Sequence, residues 1–213
     1  LMDNISVIIR NKNEERYIGY AIQSVLDKFL NPEIIIIDND STDDSVEIAK
    51  SFNFSNVKTY NIQSYTPGKS INFGVRKCSN KYILILSAHS EIMHLNLSPI
   101  LSKLEEHCVV GCKQIPIWRG RKINRRYVWS NFLDHDVINY FSKDEQRYFL
   151  HNAFAFYKKE TLLKYPFDEN LPGKEDRYWI NDRVKEGMSF YYDAKTTCHH
   201  HYTDNGSTWK GIG

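Results

Sequence analysis

The sequence predicts an α/β domain with a mostly parallel sheet flanked by helices, followed by a less regular second half. Apolar runs such as the four isoleucines at 34–37 are short and free of polar residues, as in strands that are buried on both faces. Between these runs, apolar residues repeat at helical spacing. Because strand and helix alternate over short connections, we expect parallel strands joined by right-handed crossovers.

Each element can be placed from these patterns. The first helix follows Asn13, which we expect to cap it, and 66–69 is a predicted turn before the third helix. The last predicted strand stops before three consecutive histidines. The predicted strands are 5–9, 33–37, 57–62, 82–86, 108–117, 151–157 and 190–192, and the predicted helices are 14–29, one through 46–49, 70–78, 97–106 and 175–186.

Composition indicates one soluble domain. The chain has 213 residues, of which 41% are hydrophobic and 25% charged, and its net charge of +2 argues against a nucleic-acid binder. No apolar run approaches the roughly 20 residues that cross a bilayer, and no secretory signal is visible, so we expect a cytoplasmic protein. The four cysteines fit reduced thiols, although a structural zinc site with Cys108, Cys112 and the histidines is an alternative.

Polar side chains follow two of the predicted strands. Asp38 and Asp40 come after the isoleucine strand, and Ser87, His89 and Glu91 come after the strand at 82–86. Ligands bind at the carboxyl ends of parallel strands, and these residue types suit a metal ion and a phosphate. The alternatives are a helix cap after Asp40 and a polar loop with a solvated histidine.

A further acidic pair lies in the second half, together with the histidine run. Glu175 and Asp176 follow a flexible loop and start a predicted helix, where they either complement the helix dipole or supply a general base. Imidazole is a common ligand of divalent metals, so His199, His200 and His201 favour a metal site.

A basic segment at 119–126 is flanked by aromatic residues. It is equally consistent with a loop that grips an anionic or sugar-bearing acceptor and with a solvated loop over packed aromatics. The acceptor candidates are Trp118, Arg119, Arg121 and Trp129.

Four of these segments, in this order, resemble the family 2 glycosyltransferases, which are inverting enzymes with the Rossmann-like GT-A fold. The segments are Ile-Ser-Val-Ile-Ile-Arg-Asn-Lys-Asn-Glu at 5–14, Ile-Ile-Ile-Ile-Asp-Asn-Asp-Ser-Thr-Asp-Asp at 34–44, Gly-Lys-Ser-Ile-Asn-Phe-Gly at 68–74 and Gly-Lys-Glu-Asp-Arg-Tyr-Trp at 173–179. The resemblance implies a nucleotide-binding half, 1–92, and an acceptor-binding half, 93–213, in one domain.

The resemblance also assigns roles to residues. Asp176 is the expected base that deprotonates the acceptor hydroxyl, with Glu175 in reserve. The expected nucleotide-binding residues are Arg10, Asn11, Asn13, Asp38, Asp40, Lys69, Asn72, Ser87 and Ala88.

The metal motif departs from the family pattern. Ser87-Ala88-His89 stands where the family has Asp-x-Asp, and it is similar to the Asp-x-His-x-Glu form of the polypeptide N-acetylgalactosaminyltransferases. We expect His89 to bind a divalent cation and His199 to complete the protein ligands, with His201 as second choice. Imidazole ligands favour Mn²⁺ over Mg²⁺, and a metal-independent enzyme is the alternative.

The resemblance predicts transfer of a hexosyl or N-acetylhexosaminyl group from a nucleotide-diphosphate sugar, with UDP expected, to a glycan or lipid-linked hydroxyl. Bacterial surface polysaccharide or capsule synthesis is the expected setting, with peripheral contact at the inner face of the membrane; the oligomeric state is open. Because of Ser87, a non-catalytic nucleotide-sugar-binding module is the first alternative. A sugar nucleotidyltransferase ranks lower, since no glycine stands between Ile5 and Gly19.

Overall fold

The computed structural model describes residues 5–123 and 127–209. Twelve strands and six α-helices occur in this part of the chain. The strands are β1 (Ile5–Asn11), β2 (Glu33–Asp38), β3 (Val57–Asn61), β4 (Tyr82–Ser87), β5 (Ser90–His94), β6 (Val110–Trp118), β7 (Arg121–Lys122), β8 (Val137–Ile138), β9 (Phe141–Ser142), β10 (Arg147–Tyr148), β11 (Phe154–Lys158) and β12 (Tyr191–His201). The helices are α1 (Ile18–Lys28), α2 (Ser45–Lys50), α3 (Pro67–Lys77), α4 (Leu97–Glu106), α5 (Lys159–Lys164) and α6 (Glu175–Lys185).

One large sheet organises the molecule, with strand order β3-β2-β1-β4-β11-β6-β12-β5. Strands β1 to β4 pair in parallel, as expected from the alternation of strands and helices. The second half extends this sheet: β11 and β5 run antiparallel to their neighbours, and β6 and β12 pair in parallel. The predicted α/β class with a mostly parallel sheet is therefore confirmed.

The isoleucine strand β2 shows why the sheet is buried on both faces. Ile34 and Ile36 pack into one hydrophobic cluster, whereas Ile35 and Ile37 pack into the cluster on the other side. All four side chains are fully buried. Since burying one such side chain stabilises the fold by about 1.5–3 kcal/mol, this strand fixes the sheet between its two helical layers.

The first helix begins later than predicted. It starts at Ile18, and residues 14–17 form a turn in which the carbonyl of Glu14 accepts hydrogen bonds from the Tyr17 and Ile18 amides. Asn13 is not its cap: this residue has a left-handed φ of 50°, and its Oδ1 accepts from the Thr42 amide at 2.7 Å. The turn leaves the Glu14 side chain buried.

The predicted turn at 66–69 is the first turn of α3. Thr66 caps this helix through a hydrogen bond from the Lys69 amide, and Pro67 occupies the first helical position, where its missing N–H costs nothing.

The last strand, β12, is much longer than the predicted 190–192. It runs for eleven residues to His201 because β6 pairs with it on one side and β5 on the other. The histidine run therefore lies inside the sheet, where successive side chains point to opposite faces.

All four cysteines are buried and free of disulfide bonds. Burial raises the pKa of the Cys78 and Cys108 thiols to about 12. Over residues 5–123 and 127–209, the one group of three or more side chains placed to share a metal ion contains no cysteine, so the geometry gives no support to a zinc site with Cys108 and Cys112. No helix within these ranges combines the length and hydropathy that a membrane span requires.

Candidate active site

A cleft of about 850 Å³ opens at the carboxyl ends of β1 and β4. These strands pair directly, with Arg10 opposite Ser87, so the residues that follow them reach one edge of the sheet. The start of α6 adds its acidic pair to the lining. The expected site residues that line this cleft are Arg10, Asn11, Ser87, His89, Glu175 and Asp176.

Asp38 holds the end of β1 in place. Its Oδ1 accepts a hydrogen bond from Asn11 Nδ2 at 2.7 Å, its Oδ2 accepts one from the Ser41 amide, and its side chain is buried. These contacts fix the orientation of the carboxylate, and its contact with a nucleotide stays a prediction. Asn11 Oδ1, in contrast, is buried at the cleft without a hydrogen-bond partner among the described residues.

Asn13 and Asp40 lie on the loops beside the cleft but do not line it. The Asn13 side chain binds the Thr42 amide, and Asp40 is exposed with a left-handed φ of 53°. Lys12, which does line the cleft, donates from Nζ to the Asn39 and Asp40 carbonyls and so ties the two loops together.

Three further residues expected at the nucleotide do not line the cleft. Asn72 is buried and exchanges hydrogen bonds with the backbone of Phe167, at 2.8 and 3.0 Å. Lys69 Nζ binds the Gln63 carbonyl at 2.9 Å, outside the cleft lining. Ala88 belongs to the hydrophobic core. These positions shape the sheet edge and the α3 cap rather than the cleft surface.

The acidic pair at the start of α6 has two different environments. Glu175 is buried, and its Oε1 faces Arg10 Nη1 and Asn152 Nδ2, each at 3.4 Å. Burial and the neighbouring Asp176 raise the pKa of Glu175 despite Arg10. Asp176 is less buried and accepts from the Asn152 and Arg177 amides, at 3.1 and 2.8 Å. Asp176 therefore has carboxylate lone pairs available to the cleft.

His89 meets a histidine across the cleft wall, but not the expected one. Its Nε2 lies 2.9 Å from Nε2 of His200. Because side chains alternate along β12, His199 and His201 point to the opposite face of the sheet. The expected pairing of His89 with His199 or His201 is therefore corrected to a pairing with His200.

Partners at the other ring nitrogens orient both imidazoles. Glu14 Oε1 lies 3.1 Å from His89 Nδ1, and Gln114 Oε1 lies 2.8 Å from His200 Nδ1. A carboxylate and an amide oxygen only accept, so each Nδ1 carries the proton. Two Nε2 lone pairs would then face one another, so the pair needs either a shared proton or a cation between the two nitrogens.

This donor set fits a divalent cation. A metal-bound imidazole commonly donates its other N–H to a carboxylate or carbonyl oxygen, as both rings do here. Burial and the neighbouring His89 lower the pKa of His200 well below its usual range, which keeps the ring neutral. Gly206 lies close to this pair and packs tightly: a Cβ at this position would stand 2.9 Å from Trp209 Cδ1, 3.0 Å from Thr203 Cγ2 and 3.5 Å from His89 Nε2.

Comparison with known proteins identifies the family of the chain. Residues 6–165 match the sequence model of "Glycosyl transferase family 2". An uncharacterized glycosyltransferase of Rickettsia typhi is 40% identical over 218 residues, covering 89% of this chain and 71% of that protein.

The chain belongs to glycosyltransferase family 2.

Other relatives of this family 2 chain are named for cell-surface polymers. The minor teichoic acid biosynthesis protein GgaA of Bacillus subtilis is 27% identical over 215 residues, which cover 89% of the chain. The chain spans 47% of the length of GgaA and 24% of that of GgaB, a second teichoic acid protein of the same bacterium.

Solved structures share the GT-A fold. Residues 1–349 of S. aureus TarS in complex with UDP-GlcNAc align with a TM-score of 0.74 at 19% identity, covering 97% of this chain and 61% of that one. The mannosyltransferase PcManGT of Pyrobaculum calidifontis, in complex with GDP-Man and Mn²⁺, aligns at 0.68 and 14% identity, covering 97% and 59%.

Residues that the sequence patterns missed complete the family 2 cleft. Gln114 Nε2 lies 3.2 Å from Nδ1 of His151, which lines the cleft and whose pKa burial lowers to about 4. Glu14 was visible as the last residue of the first motif. Gln114 and His151 carried no local signal, because only pairing within the sheet brings them to His200.

The acceptor candidates separate into two groups. Trp129 is fully buried, with its ring centroid 4.9 Å from that of His200, which corrects its expected contact with an acceptor. Trp118 is 40% exposed, Arg119 stacks on it at 4.6 Å, and Arg121 is exposed on β7. Residues 124–126 of the basic segment lie outside the described residues.

On the outer face of β12, His199 and His201 lie close to the carboxylate of Glu91. His201 Nε2 lies 3.1 Å from Glu91 Oε2, and the Tyr17 ring stacks on His201 with 4.8 Å between centroids. Burial lowers the pKa of His199, and the neighbouring His201 lowers it further. None of these residues lines the cleft.

Proposed function

We propose that this chain is an inverting glycosyltransferase that moves a hexosyl or N-acetylhexosaminyl group from a UDP-sugar to a hydroxyl of a glycan or lipid-linked acceptor. One observation carries the proposal: a half-buried carboxylate, Asp176, shares a cleft with the imidazole of His89, whose Nε2 is paired with that of the buried His200. The first element is suited to removing a proton, and the second to a cation beside phosphates.

Asp176 acts as the general base in this proposal. Its two oxygens are fixed by amide donors, and a substrate hydroxyl can donate to a remaining lone pair. Glu175 is unsuited to this role, because Arg10 and Asn152 already engage its buried carboxyl group. A single base on the face opposite the leaving group leads to inversion at the anomeric carbon.

In this proposal the nucleotide base donates a hydrogen bond to Asn11 rather than to Asp38. Uracil presents an imide N–H, and Asn11 Oδ1 is a buried acceptor without a partner among the described residues. Asp38 and Ser45 hold the Asn11 amide in this orientation, through hydrogen bonds of 2.7 and 2.9 Å from Nδ2. The structures of TarS in complex with UDP and with UDP-GlcNAc support uridine as the base.

His89 and His200 hold the cation, with Glu14 and Gln114 orienting them. When bound, a divalent cation neutralises the charge that develops on the departing diphosphate. Imidazole favours Mn²⁺ over Mg²⁺, and the complex of PcManGT with GDP-Man and Mn²⁺ supports the same ion. Ser87 lines the same cleft and adds a neutral oxygen where the family usually has a carboxylate.

The acceptor belongs to a bacterial surface polymer in this proposal. The names of the GgaA and GgaB relatives support a teichoic-acid-like polymer, and that of a Methanococcus voltae relative includes a dolichyl-phosphate-linked sugar. Trp118, Arg119 and Arg121 lie on the β6–β7 hairpin and are exposed, so they are the residues that we assign to the acceptor. A lipid-linked acceptor would bring this hairpin to the cytoplasmic face of the membrane.

The Asp176→Asn variant tests the proposal, because Asn keeps the side-chain shape and one of the two acceptor oxygens but removes the base. We expect release of UDP from UDP-sugars in the presence of acceptor to fall about 10²–10⁴-fold, with UDP affinity by calorimetry nearly unchanged. Glu175→Gln is the matched control and should lose less activity. Loss of UDP binding in Asp176→Asn, or full turnover, would contradict the assignment.

A second candidate function is a non-catalytic nucleotide-sugar-binding module. The observation that favours it is Ser87, which places no carboxylate at the expected cation position. Slow hydrolysis of the donor without acceptor separates the two functions: an enzyme releases UDP from its cognate UDP-sugar, whereas a binding module does not.

A further inference from the structure

We propose that Glu91, His199 and His201 form a second divalent-cation site, on the face of β12 that points away from the cleft, and that this site takes a borderline metal ion such as Zn²⁺. The inference is independent of the glycosyltransferase activity, since none of the three residues lines the cleft.

The three ligand atoms are already close together. They all lie within 4.8 Å of one another, and His201 Nε2 and Glu91 Oε2 are 3.1 Å apart. Ligands of a tetrahedral zinc ion, each about 2.0–2.2 Å from the metal, lie roughly 3.4 Å from one another. Side-chain movements of about 1 Å would therefore bring the ligands to these distances without moving the backbone.

Sheet pairing holds the ligands in place. His199 is paired with Glu91 across the β12–β5 ladder, and His201 follows two residues later on the same face. The Tyr17 ring stacks on His201 with an interplanar angle of 11°, which limits the rotation of that imidazole. All three ligands are partly buried, so a bound ion would keep water in its remaining positions.

The ligand types select the ion. Two imidazoles and one carboxylate suit zinc and its neighbours in the first transition row, whereas Mg²⁺ prefers a shell of oxygen atoms. The inner pair, His89 and His200, differs in that it contains no carboxylate ligand and includes His89, which lines the cleft. The outer site is therefore expected to bind zinc without a nucleotide.

A bound ion would cross-link β5 to β12 at the edge of the sheet. β5 is the last strand in the sheet order and begins directly after His89. Joining β5 to β12 through a metal would stabilise the folded chain by mass action, since the unfolded chain lacks the site. It would also hold the strand that carries His200.

The test titrates metal-free protein with Zn²⁺, followed by dialysis and metal analysis, and with Co²⁺, followed by visible absorption. Wild type and His89→Asn should each bind zinc at the outer site and melt at a higher temperature with it. His199→Asn and Glu91→Gln should weaken that binding by roughly tenfold or more, since even outer partners of metal ligands are worth about 10–100-fold. His135→Asn, at an exposed loop histidine, is the matched control.

Several results would overturn the proposal. One is zinc binding that survives in His199→Asn and Glu91→Gln but disappears in His89→Asn, which would place the metal in the cleft. Another is wild-type protein that retains no zinc and shows no cobalt spectrum. If His199→Asn does not fold, Glu91→Gln alone decides, because this change removes a charge while preserving side-chain shape.

Discussion

Adjacent histidines on β12 occupy opposite surroundings. His200 faces inward, is 1% exposed, and contacts His89, Gln114 and the ring of Trp129. His201 faces outward, is partly exposed, and contacts a carboxylate, Glu91. The two differ because side chains alternate along a strand. A run of identical residues in a strand is thus divided between two faces and cannot serve as one ligand set.

Electrostatics follows the same division. The inner imidazole has an amide oxygen and another imidazole as polar neighbours, so its neutral form is favoured and its Nε2 faces that of His89, which lines the cleft. On the outer face, Glu91 supplies a negative charge, which favours a cation there without a nucleotide. The inner pair has its neighbouring carboxylate, Glu14, at His89 Nδ1 rather than beside the two Nε2 atoms, so a cation there would take its oxygen ligands from the phosphates of the substrate.

The largest expected difference comes from removing the inner pair. His89→Asn should lower transfer by about 10²-fold or more, because the cation no longer balances the charge on the leaving diphosphate. UDP binding in the presence of Mn²⁺ should weaken as well. Steady-state rates and calorimetry measure both effects, with His135→Asn as a folded control. Equal activity of His89→Asn and wild type would contradict the assignment of the cation to the inner pair.

Gln114 gives a second test of the inner pair, because its Oε1 keeps the proton of His200 on Nδ1. Gln114→Leu keeps the shape but removes this acceptor, so His200 can expose an N–H to the cleft instead of a lone pair. We expect cation affinity at the cleft to fall about 10–100-fold. Gln114→Glu, which restores an acceptor, should recover much of it. An unchanged affinity in Gln114→Leu would show that the tautomer of His200 has no role.

A substitution at Ser87 is expected to increase cation affinity at the cleft rather than reduce it. Ser87→Asp adds the carboxylate that the family usually has at this position, and the cleft should then bind Mn²⁺ more tightly, by about tenfold as a single added charge-assisted contact. Zinc binding on the outer face should not change. Manganese titrations followed by calorimetry measure the effect, and weaker binding in Ser87→Asp would show that Ser87 does not face the cation.

The smallest effect concerns pH. Burial holds the pKa of His151 at about 4, whereas the unfolded chain binds a proton near pH 6.5. The stability linked to neutral His151 is therefore fully present above pH 6.5 and is lost progressively as pH falls toward 4. In urea titrations, His151→Asn should show a shallower loss over this range. If the free energy of unfolding had the same pH dependence in both proteins, the depressed pKa of His151 would be contradicted.

Much of the fold was predictable because its signals are local. The apolar strands β1, β2 and β4 and the helix α4 are each indicated by a few consecutive residues, and the motif order gives the family. The length of β12 was not predictable, because β5 and β6 extend it by pairing from distant parts of the chain. The start of α1 was missed because Asn13 serves the Thr42 loop instead of the helix.

The candidate site was predictable in outline only. Arg10, His89 and Asp176 stand at strand or helix ends and reach the cleft, as their positions suggested. Asn72 and Trp129 look equally functional in the sequence, yet packing against Phe167 and His200 buries them. His200 needed the strand register, which no local pattern contains.

The most direct measurement is a calorimetric titration of wild-type protein with UDP, in Mn²⁺ and then in EDTA, repeated with His89→Asn. If the inner pair holds the cation, wild type binds UDP tightly only with Mn²⁺, and His89→Asn loses that dependence. Equal UDP affinity with Mn²⁺ and with EDTA would contradict the assignment and point to a metal-free transferase, and no binding in either condition would contradict the choice of uridine.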